Sequence, residues 1–435
     1  MSRDLRISVS QFWAISCSAA ALWLVAGVAG AATLCVNHHS NTGCYSSITS
    51  ALAAAQPGDV INVAQGTYAE DVLITKSISL VGGNQFSTII DATGKSNGIY
   101  IDGLDTPGLA GVTVRGFTIQ NANYEGMLIQ NASNVTVSGN TVQLNDRDET
   151  NGTGCDGLPP FETNEADDCG EGIHLMGVDH STIAENTVQY NSGGILISDE
   201  TAPNHDNVIT KNMVRDNAYD CGITMASHSA YVKTGTAPLA FGISHNTISE
   251  NVSMHNGFGS PGGGAGVGLF APGPGNVTID NSVVNNRLID NSQPGVSIHN
   301  HVNLTFPNHP PNPNVNDNAI VGNYISGNGP DSDVGTTVTT GISVLGTTPI
   351  TGLVISGNTI EHEGVDVGVN NGALLELHLN NLNGRNIGVE NLNAGGSVDA
   401  RENWWGCSRG PTSNACSSIS GPNVSSTPWL PTPVE

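Results

Sequence analysis

One short phrase occurs three times between residues 172 and 228, and each copy begins with glycine. The copies are Gly-Ile-His-Leu-Met from Gly172, Gly-Ile-Leu-Ile-Ser from Gly194 and Gly-Ile-Thr-Met-Ala from Gly222. Apolar residues alternate with variable ones in each copy, which is the two-residue period of a strand with one buried face. A second phrase lies between the copies, because Glu-Asn-Thr-Val-Gln-Tyr at 185–190 is matched by Lys-Asn-Met-Val-Arg-Asp at 211–216. The chain is therefore predicted to alternate two kinds of strand.

The asparagine of the second phrase can be followed through most of the chain. Its last two intervals are 380 − 358 = 22 and 403 − 380 = 23 residues. Such a period is too short for paired helices but fits one turn of a parallel β-helix, whose turns stack about 4.8 Å apart. We predict nine or ten turns. The recurring residues are Asn140, Asn186, Asn212, Asn246, Asn286, Asn323, Asn358, Asn380 and Asn403.

Two forms of the second phrase carry a resemblance to a known family. Gly-Asn-Thr-Val at 139–142 and Gly-Asn-Thr-Ile at 357–360, followed by Gly-Ile-x-Ile or Gly-Val-x-Ile, resemble repeats of right-handed parallel β-helix proteins with the pectate-lyase-type fold. NosD-like proteins share this type of repeat. The resemblance implies an all-β chain that forms one right-handed parallel β-helix with a short N-terminal capping helix. It is specific for fold and much less so for chemistry.

The start of the chain is typical of a secretory signal peptide. Arg3 and Arg6 precede an apolar run at 14–29, which ends in the small residues at 29–32. The run is short for a membrane anchor, which is the alternative, and its end fits an Ala-x-Ala cleavage pattern. No later stretch is apolar enough to cross a membrane. We expect residues 1–31 to be removed and the protein to be secreted, either extracellular or periplasmic.

The rest of the chain divides into three predicted parts. Residues 32–95 are expected to form the N-terminal cap and first turns, with a helix near 45–55 that ends at Gln-Pro-Gly-Asp. Residues 96–406 are expected to form the repeats, with an acidic insertion near 145–170. Residues 407–435 form the C-terminal cap and tail.

Export places the cysteines in an oxidising compartment. Their spacing suggests that Cys35 pairs with Cys44 at the start of the solenoid and Cys407 with Cys416 at its end. Each disulfide would hold one end of the solenoid in place.

Three cysteines lie between these pairs. Cys155 and Cys169 are expected to close the acidic insertion, but spacing does not fix connectivity, and Cys221 could pair with either. Cys221 lies next to the strand that begins at Gly222, so it is interpreted as a packed thiol rather than a nucleophile.

Charge limits the possible partners. The chain has 38 acidic and 13 basic residues, a formal net charge of −25 at pH 7. It has no basic stripe to displace counterions, which argues against nucleic acid. An anionic polysaccharide would need a local basic patch or bridging cations, whereas a neutral glycan meets no such barrier. We expect a monomer that binds polysaccharide.

The acidic insertion is a candidate calcium site. Residues 145–170 contain eight acids in 26 residues, and Asp156, Asp167 and Asp168 are the proposed ligands. Ca²⁺ prefers several oxygen ligands, which a disulfide-closed loop can bring together. The alternative is a solvated acidic loop, since no EF-hand spacing is present.

The candidate active site follows from stacking the glycines. The second and fourth residues after each glycine are expected to face solvent, and they include His174 and His299. Glu200 and His228 lie six residues after the successive glycines Gly194 and Gly222. His301 lies six residues after Gly295, two turns further along. Because adjacent turns lie about 4.8 Å apart, Glu200 is predicted to lie beside His228.

This set can be read as an acid–base site. His228 is the predicted acid–base residue, and Glu200 orients it. Asp220 is expected on the same general face, with His174, His299 and His301. The alternative is that these polar groups form surface ladders and cap turns.

Two functional classes follow. The first is a carbohydrate-active lyase, hydrolase or epimerase acting on a polysaccharide along the solenoid. In pectate-lyase-like enzymes carboxylate-bound Ca²⁺ acidifies a uronate, but the chain has no recognisable lyase motif and no Asp-Pro-His-Glu motif of alginate epimerases. The second is a non-catalytic NosD-like surface or binding protein.

Overall fold

The computed structural model describes residues 30–37, 43–146, 170–228, 230, 238–259, 263–300 and 312–435. The chain divides into a unit of residues 1–30 and a unit of residues 31–435, and the second is described here. The predicted signal peptide and the acidic insertion fall almost entirely outside the described residues.

The second unit is a right-handed parallel β-helix built from three long sheets and one short one. The first sheet has fourteen parallel strands. In spatial order they are Thr33–Val36, Val60–Val63, Ser79–Gly82, Thr113–Arg115, Thr136–Ser138, Thr182–Ala184, Val208–Thr210, Thr247–Ser249, Ser282–Val284, Ala319–Val321, Val354–Ser356, Leu374–His378, Ser397–Asp399 and Val424–Ser425.

The second sheet contains the Asn-Thr-Val phrase and has eleven strands. They are Gly66–Tyr68, Thr88–Asp91, Thr118–Gln120, Thr141–Gln143, Thr187–Gln189, Met213–Arg215, Val252–Met254, Arg287–Ile289, Tyr324–Ser326, Thr359–Glu361 and Asn381–Leu382.

The third sheet contains the glycine phrase, and it carries the site described below. Its twelve strands are Val72–Ile74, Ile99–Asp102, Met127–Gln130, Glu171–Met176, Gly193–Ser198, Ile223–Ala226, Val267–Ala271, Val296–Asn300, Thr340–Gly346, Val365–Asn371, Ile387–Asn391 and Ser418–Ser420. The fourth sheet consists of Asn204–His205, Ile243–Ser244 and Thr278–Ile279.

The strand counts correct the predicted number of turns. Nine or ten were expected, whereas the third sheet alone has twelve strands. The additional turns lie at the two ends, where the chain pairs in parallel without repeating either phrase. A count based on the phrases therefore misses them.

The core follows the predicted alternation. Ile173, Ile195, Ile223, Val267 and Val296 are paired one above the other along the third sheet, and none is more than 1% exposed. At roughly 1.5 to 3 kcal/mol for each fully buried aliphatic side chain, such columns supply most of the stabilisation.

Buried asparagines join successive turns at the corner before the second sheet. Asn212 accepts hydrogen bonds from the backbone N–H and the amide of Asn186, at 2.9 and 3.0 Å, and its own amide donates to Asn251 at 3.0 Å. We call this the main asparagine ladder. Its members are Asn140, Asn186, Asn212, Asn251, Asn286, Asn323, Asn358, Asn380 and Asn403.

One predicted member of this ladder was wrong. Asn246 belongs to a neighbouring ladder, where it bonds to Asn207 and Asn281. Asn251 takes its place, although a valine rather than the usual threonine follows it. The turn presents two asparagines five residues apart, and the phrase search selected the one with the closer match.

The N-terminal cap contains the only helix among the described residues, Ile48–Ala54. Ser47 caps its start, and Glu70 accepts hydrogen bonds from the backbone N–H groups of Ile48 and Thr49. Lys76 donates to three carbonyl groups at its end, those of Leu52, Ala53 and Ala55. The helix buries Ile48, Ala51 and Leu52. It is not long and apolar enough to span a membrane.

Both predicted terminal disulfides are present. Cys35 is bonded to Cys44, and Cys407 to Cys416. Cys221 keeps its thiol, which accepts a hydrogen bond from Ala265 N–H. Burial raises the pKa of this thiol well above its ordinary value, so it is a packed group as predicted. Cys155 and Cys169 lie outside the described residues.

A second buried ladder ends in a carboxyl group. It runs through Asn145, Asn191, Asn217, Asn256, Asn291 and Asn328 to Glu363. Glu363 Oε1 accepts both the backbone N–H and the amide of Asn328, whereas Oε2 makes no hydrogen bond to the described residues. Burial raises the pKa of Glu363 from 4.5 to about 7, against the effect of these bonds.

This carboxyl group predicts a pH-dependent stability. Because the folded pKa is the higher one, its contribution is complete below about pH 4.5 and is lost as the pH rises through about 7. The difference is about 3 kcal/mol at roughly 1.4 kcal/mol per pKa unit. Glu363→Gln keeps the acceptor oxygen but cannot ionise. Urea unfolding at pH 5 and pH 8 should therefore show that the free energy of unfolding falls less between these pH values in this variant than in the wild type.

Glu250→Gln is the matched control for this test, because the Glu250 side chain is 57% exposed. The stability of both proteins should keep some pH dependence from Asp366, since burial also raises the pKa of that carboxyl group. Equal losses in wild type and Glu363→Gln would contradict a buried titration at position 363.

Candidate functional site

A pocket opens on the third sheet where the strands Ile223–Ala226, Val267–Ala271 and Val296–Asn300 end. Its volume is about 220 Å³. It is lined by Ala226, His228, Phe270, Pro272, Gln293, His299 and Asp333. Four successive turns contribute to it, since Asp333 belongs to the turn of the next strand, Thr340–Gly346, so residues far apart in sequence meet at one surface.

His228 and Glu200 form a buried pair beside this pocket. His228 Nδ1 lies 2.7 Å from Glu200 Oε1, as the glycine register predicts, and the side chains are 4% and 2% exposed. A carboxylate can only accept, so His228 Nδ1–H donates to Glu200. Glu200 thereby fixes the orientation of the ring.

Asp199 holds the backbone around His228 in place. It accepts hydrogen bonds from the N–H groups of His228, Phe241 and Gly242, at 2.8, 3.0 and 2.5 Å. Burial, with a smaller contribution from the neighbouring charge of Glu200, raises the pKa of Asp199 despite these donors. Asp199 therefore positions His228 through its backbone rather than its ring.

A buried hydrogen-bonded chain continues behind Glu200. Ser198 Oγ donates to Glu200 Oε2, and His174 Nε2 lies 2.7 Å from Ser198 Oγ. His174 Nδ1 lies 2.8 Å from Glu125 Oε1. We call Glu125, His174, Ser198, Glu200 and His228 the buried relay.

The relay directs its donors toward Glu200. A hydroxyl has one hydrogen, so Ser198, which donates to Glu200, must accept from His174 Nε2–H. Burial alone would raise the pKa of Glu200. The charge and hydrogen bond of His228, with the charge of His174 and the Ser198 hydrogen bond, lower it below its ordinary value. Glu200 is therefore ionised where it meets His228.

The prediction that His174 faces solvent was wrong. Its side chain points away from the apolar core but is only 3% exposed. The alternation of the strand assigned the correct side, yet polar side chains of neighbouring turns cover that side. His174 thus reaches the pocket only through Ser198 and Glu200.

A second histidine–carboxylate pair lies across the pocket. His299 Nε2 is 2.8 Å from Asp331 Oδ2, and the two side chains are 7% and 2% exposed. The prediction that His299 faces solvent was therefore wrong. Burial opposes ionisation of Asp331, but His299, Ser343 and the N–H of Val334 hold its pKa at about 2. His299 Nε2–H therefore donates to Asp331.

Phe270 forms the wall between the two histidines. Its ring packs edge-on against that of His299, with centroids 5.6 Å apart. A methyl group at Gly268 would lie 2.3 Å from the Phe270 ring, so glycine at this position makes room for it. The sequence contained a signal for Phe270, since it is an aromatic residue at the outward fourth position after Gly266.

Asp220 lies on the outward side of the third sheet but at the end of the strand away from the pocket. It stands before the strand Ile223–Ala226, whereas His228 follows that strand. Thr224 Oγ1 donates to it at 3.3 Å, and a methyl group at Gly193 would lie within 3.5 Å of both Asp220 and Glu171. The five residues between Asp220 and Ala226, where the strand ends, separate it from the pocket.

Two groups near the site have ligand atoms that could hold a cation. Glu125, Glu171 and His174 form one, and His299, Asp331 and Asp333 form the other; within each group the ligand atoms lie within 4.8 Å of one another. His301 and the predicted calcium ligands Asp156, Asp167 and Asp168 lie outside the described residues.

The arrangement can move protons at a bound molecule. His228 and His299 each donate one ring N–H to a buried carboxylate, which orients the imidazole as in a positioned acid–base residue. An aromatic ring between them offers a flat apolar surface. Such a pocket is suited to acid–base chemistry on a molecule with both apolar and hydroxyl-bearing faces.

Comparisons with known proteins agree with the fold. The family model for the right handed beta helix region matches residues 76–237, and no curated protein matches the chain. With the parallel sheets, this match supports the right-handed parallel β-helix as the fold of the chain.

Solved structures similar to this chain come from several organisms. ORF18 of Geobacillus virus E2 is 14% identical with a TM-score of 0.49, and the match covers 81% of this chain and 57% of that one. The A-module of mannuronan C-5 epimerase AlgE4 from Azotobacter vinelandii is 14% identical with a TM-score of 0.40. The match covers 74% of this chain and 90% of that one. DFA-IIIase from Arthrobacter chlorophenolicus A6, in complex with DFA-III, is 12% identical with a TM-score of 0.47. The match covers 84% of this chain and 93% of that one. These likenesses concern the course of the chain only.

Proposed function

We propose that this right-handed parallel β-helix protein binds a polysaccharide across the pocket between His228 and His299 and modifies or cleaves it by acid–base catalysis. The observation that carries the proposal is the end of the buried relay at the pocket. Burying an ionised carboxylate is unfavourable unless it is paired, and here Glu200 is paired with the one histidine of the relay that lines the pocket.

The two histidine–carboxylate pairs support opposite roles on one sugar. His228 and His299 belong to turns two apart, so they are separated by roughly 10 Å along the axis of the β-helix at about 4.8 Å per turn. His299 stacks in register with Ala226, two residues before His228. That separation leaves room for a sugar residue between a base and an acid, each acting on its own face. His228 is assigned as the acid–base residue, and His299 as its counterpart.

The charges around the pocket favour a neutral glycan. Among the described residues that line the pocket there is no lysine or arginine, and Asp333 adds a carboxylate. With a net charge of −25, an anionic polymer would be repelled. The proposed substrate is therefore a neutral polysaccharide outside the cytoplasm, where the two terminal disulfides are stable.

A panel of neutral and uronate-containing polysaccharides tests this function. Each is incubated with the protein at neutral pH, with Ca²⁺ and with chelator, because calcium binding by Asp156, Asp167 and Asp168 stays a prediction. Shortened chains, unsaturated products or inverted sugars would each identify the reaction. Binding without any product would favour the NosD-like, non-catalytic alternative, and the absence of both would contradict the proposal.

The role of Phe270 gives a second test. Phe270→Ala removes the apolar surface on which a sugar would pack, worth about 1 kcal/mol or more. We expect KM to rise by about five- to tenfold with a smaller change in kcat. Phe258→Ala is the control, because that ring is 59% exposed and stacks on His255 away from the pocket. An unchanged KM in Phe270→Ala would place the substrate elsewhere.

A further inference from the structure

A surface cluster of two histidines and an aspartate lies outside the pocket, at the turns beside the fourth sheet. His180, His205 and Asp206 have side chains 57%, 35% and 46% exposed. Their ligand atoms all lie within 4.8 Å of one another. The proposed catalytic function does not use them.

The register of the β-helix brings these residues together. Asp179 pairs with His205 on the next turn, so His180 stacks on Asp206. His205 pairs with Ser244, so Asp206 in turn stacks beneath His245. His180, Asp206 and His245 all adopt the left-handed backbone conformation, with φ of 49°, 57° and 58°. The repeating turn therefore places their side chains in one column.

The hydrogen bonds orient the cluster as metal ligands are oriented. His180 Nδ1 bonds to Asp179 Oδ1 at 2.7 Å, while its Nε2 lies 3.8 Å from Asp206 Oδ2. That distance is too long for a hydrogen bond. A histidine whose second nitrogen is held by a carboxylate is the usual arrangement around a bound metal.

The distances fit one ion of the zinc type. Asp206 Oδ2 lies 2.8 Å from His205 Nδ1 and 3.8 Å from His180 Nε2. Two atoms that share a tetrahedral ion with bonds of about 2.1 Å are roughly 3.4 Å apart. Small side-chain rotations at an exposed site meet this requirement. The ion takes the place of the hydrogen between His205 Nδ1 and Asp206.

The charges favour a cation. Asp206 supplies a carboxylate that is 46% exposed, and the net charge of −25 attracts cations to the surface. Two imidazoles and one carboxylate suit borderline divalent metals such as Zn²⁺ and Co²⁺ rather than Ca²⁺.

We propose that His180, His205 and Asp206 form a surface site for a borderline divalent transition metal, with water completing the coordination shell. Bound there, the ion links two successive turns beside the fourth sheet. The site is independent of the pocket between His228 and His299.

Calorimetric titration of the untagged full chain with Zn²⁺ tests the site. We expect the His180→Ala and His205→Ala variants each to lose at least tenfold in affinity relative to wild type, since each removes one of three protein ligands. Asp206→Asn keeps the shape and tolerates the left-handed backbone, and it should lose a similar factor. Co²⁺ should give a visible absorption spectrum that is weakened in the same variants.

His255→Ala is the matched control. His255 bonds to Asp216 at 2.8 Å and is 57% exposed, so it repeats the histidine–aspartate pair without a second histidine. It should bind Zn²⁺ as wild type does. Failure of wild type to bind Zn²⁺, unchanged affinity in Asp206→Asn, or an equal loss in His255→Ala would each overturn the site. Circular dichroism of each metal-free variant shows that the fold is retained.

Discussion

Replacing His228 by alanine is expected to lower kcat on the identified polysaccharide by roughly 10²- to 10⁴-fold, the usual contribution of a general acid–base residue. The substitution removes the only group of the buried relay that lines the pocket. It also leaves the Glu200 carboxylate, 2% exposed, without its main partner. The effect on turnover must therefore be separated from an effect on folding.

Glu200→Gln separates these two effects. Glutamine retains an acceptor for His228 Nδ1–H but removes the charge that stabilises the imidazolium. Because a neighbouring carboxylate raises the pKa of a histidine, its loss should move the acidic limb of the rate profile to lower pH. A merely structural glutamate would not move this limb.

The control for both variants is His255→Ala, which removes an exposed histidine of a similar pair. Rates and thermal unfolding are measured on the same preparations. Full activity in a folded His228→Ala protein would exclude this residue as the acid–base group, and an unshifted rate profile in Glu200→Gln would exclude the carboxylate as its partner.

Asn212→Ala is expected to lower the free energy of unfolding by about 4 kcal/mol or more. Asn212 is 1% exposed and makes four buried contacts: from the N–H and amide of Asn186, and to Ile183 O and Asn251 Oδ1. Alanine leaves four polar atoms without that partner, at about 1 to 3 kcal/mol for each one that stays unsatisfied. Urea unfolding at constant pH measures the difference.

Gln143→Ala provides a control with the same chemistry on the outside. Gln143 donates to Gln120 at 3.2 Å and accepts from Gln189 at 2.9 Å, so it too belongs to a stacked row of amides. The row is only partly buried, and water can replace its hydrogen bonds. We expect a loss below about 1 kcal/mol. Similar losses in the two variants would mean that burial does not decide the value of these ladders.

The sequence predicted the parts of the site that depend on register. Counting from the glycines placed Glu200 beside His228, because every turn of a β-helix repeats the same backbone path. The core columns and the terminal disulfides followed from the same regularity or from simple proximity.

The parts that were missed depend on what covers the strands. Asp331 pairs with His299 from a segment between two strands of different sheets, which follows neither phrase, so no register locates it. Burial of His174 also could not be read from its strand, since Glu125 and Ser198 come from other turns. Alternation gives the direction of a side chain but not its neighbours.

The terminal closures also determine where the protein comes apart. Each turn of a solenoid contacts mainly the turns beside it, so an open end would fray one turn at a time. Here the first turn is covered by the helix Ile48–Ala54 and joined by Cys35–Cys44, and Cys407–Cys416 joins the last. Both ends resist unzipping. Limited proteolysis should therefore cut first at insertions between turns of the β-helix. The first and last turns should remain intact in the early fragments.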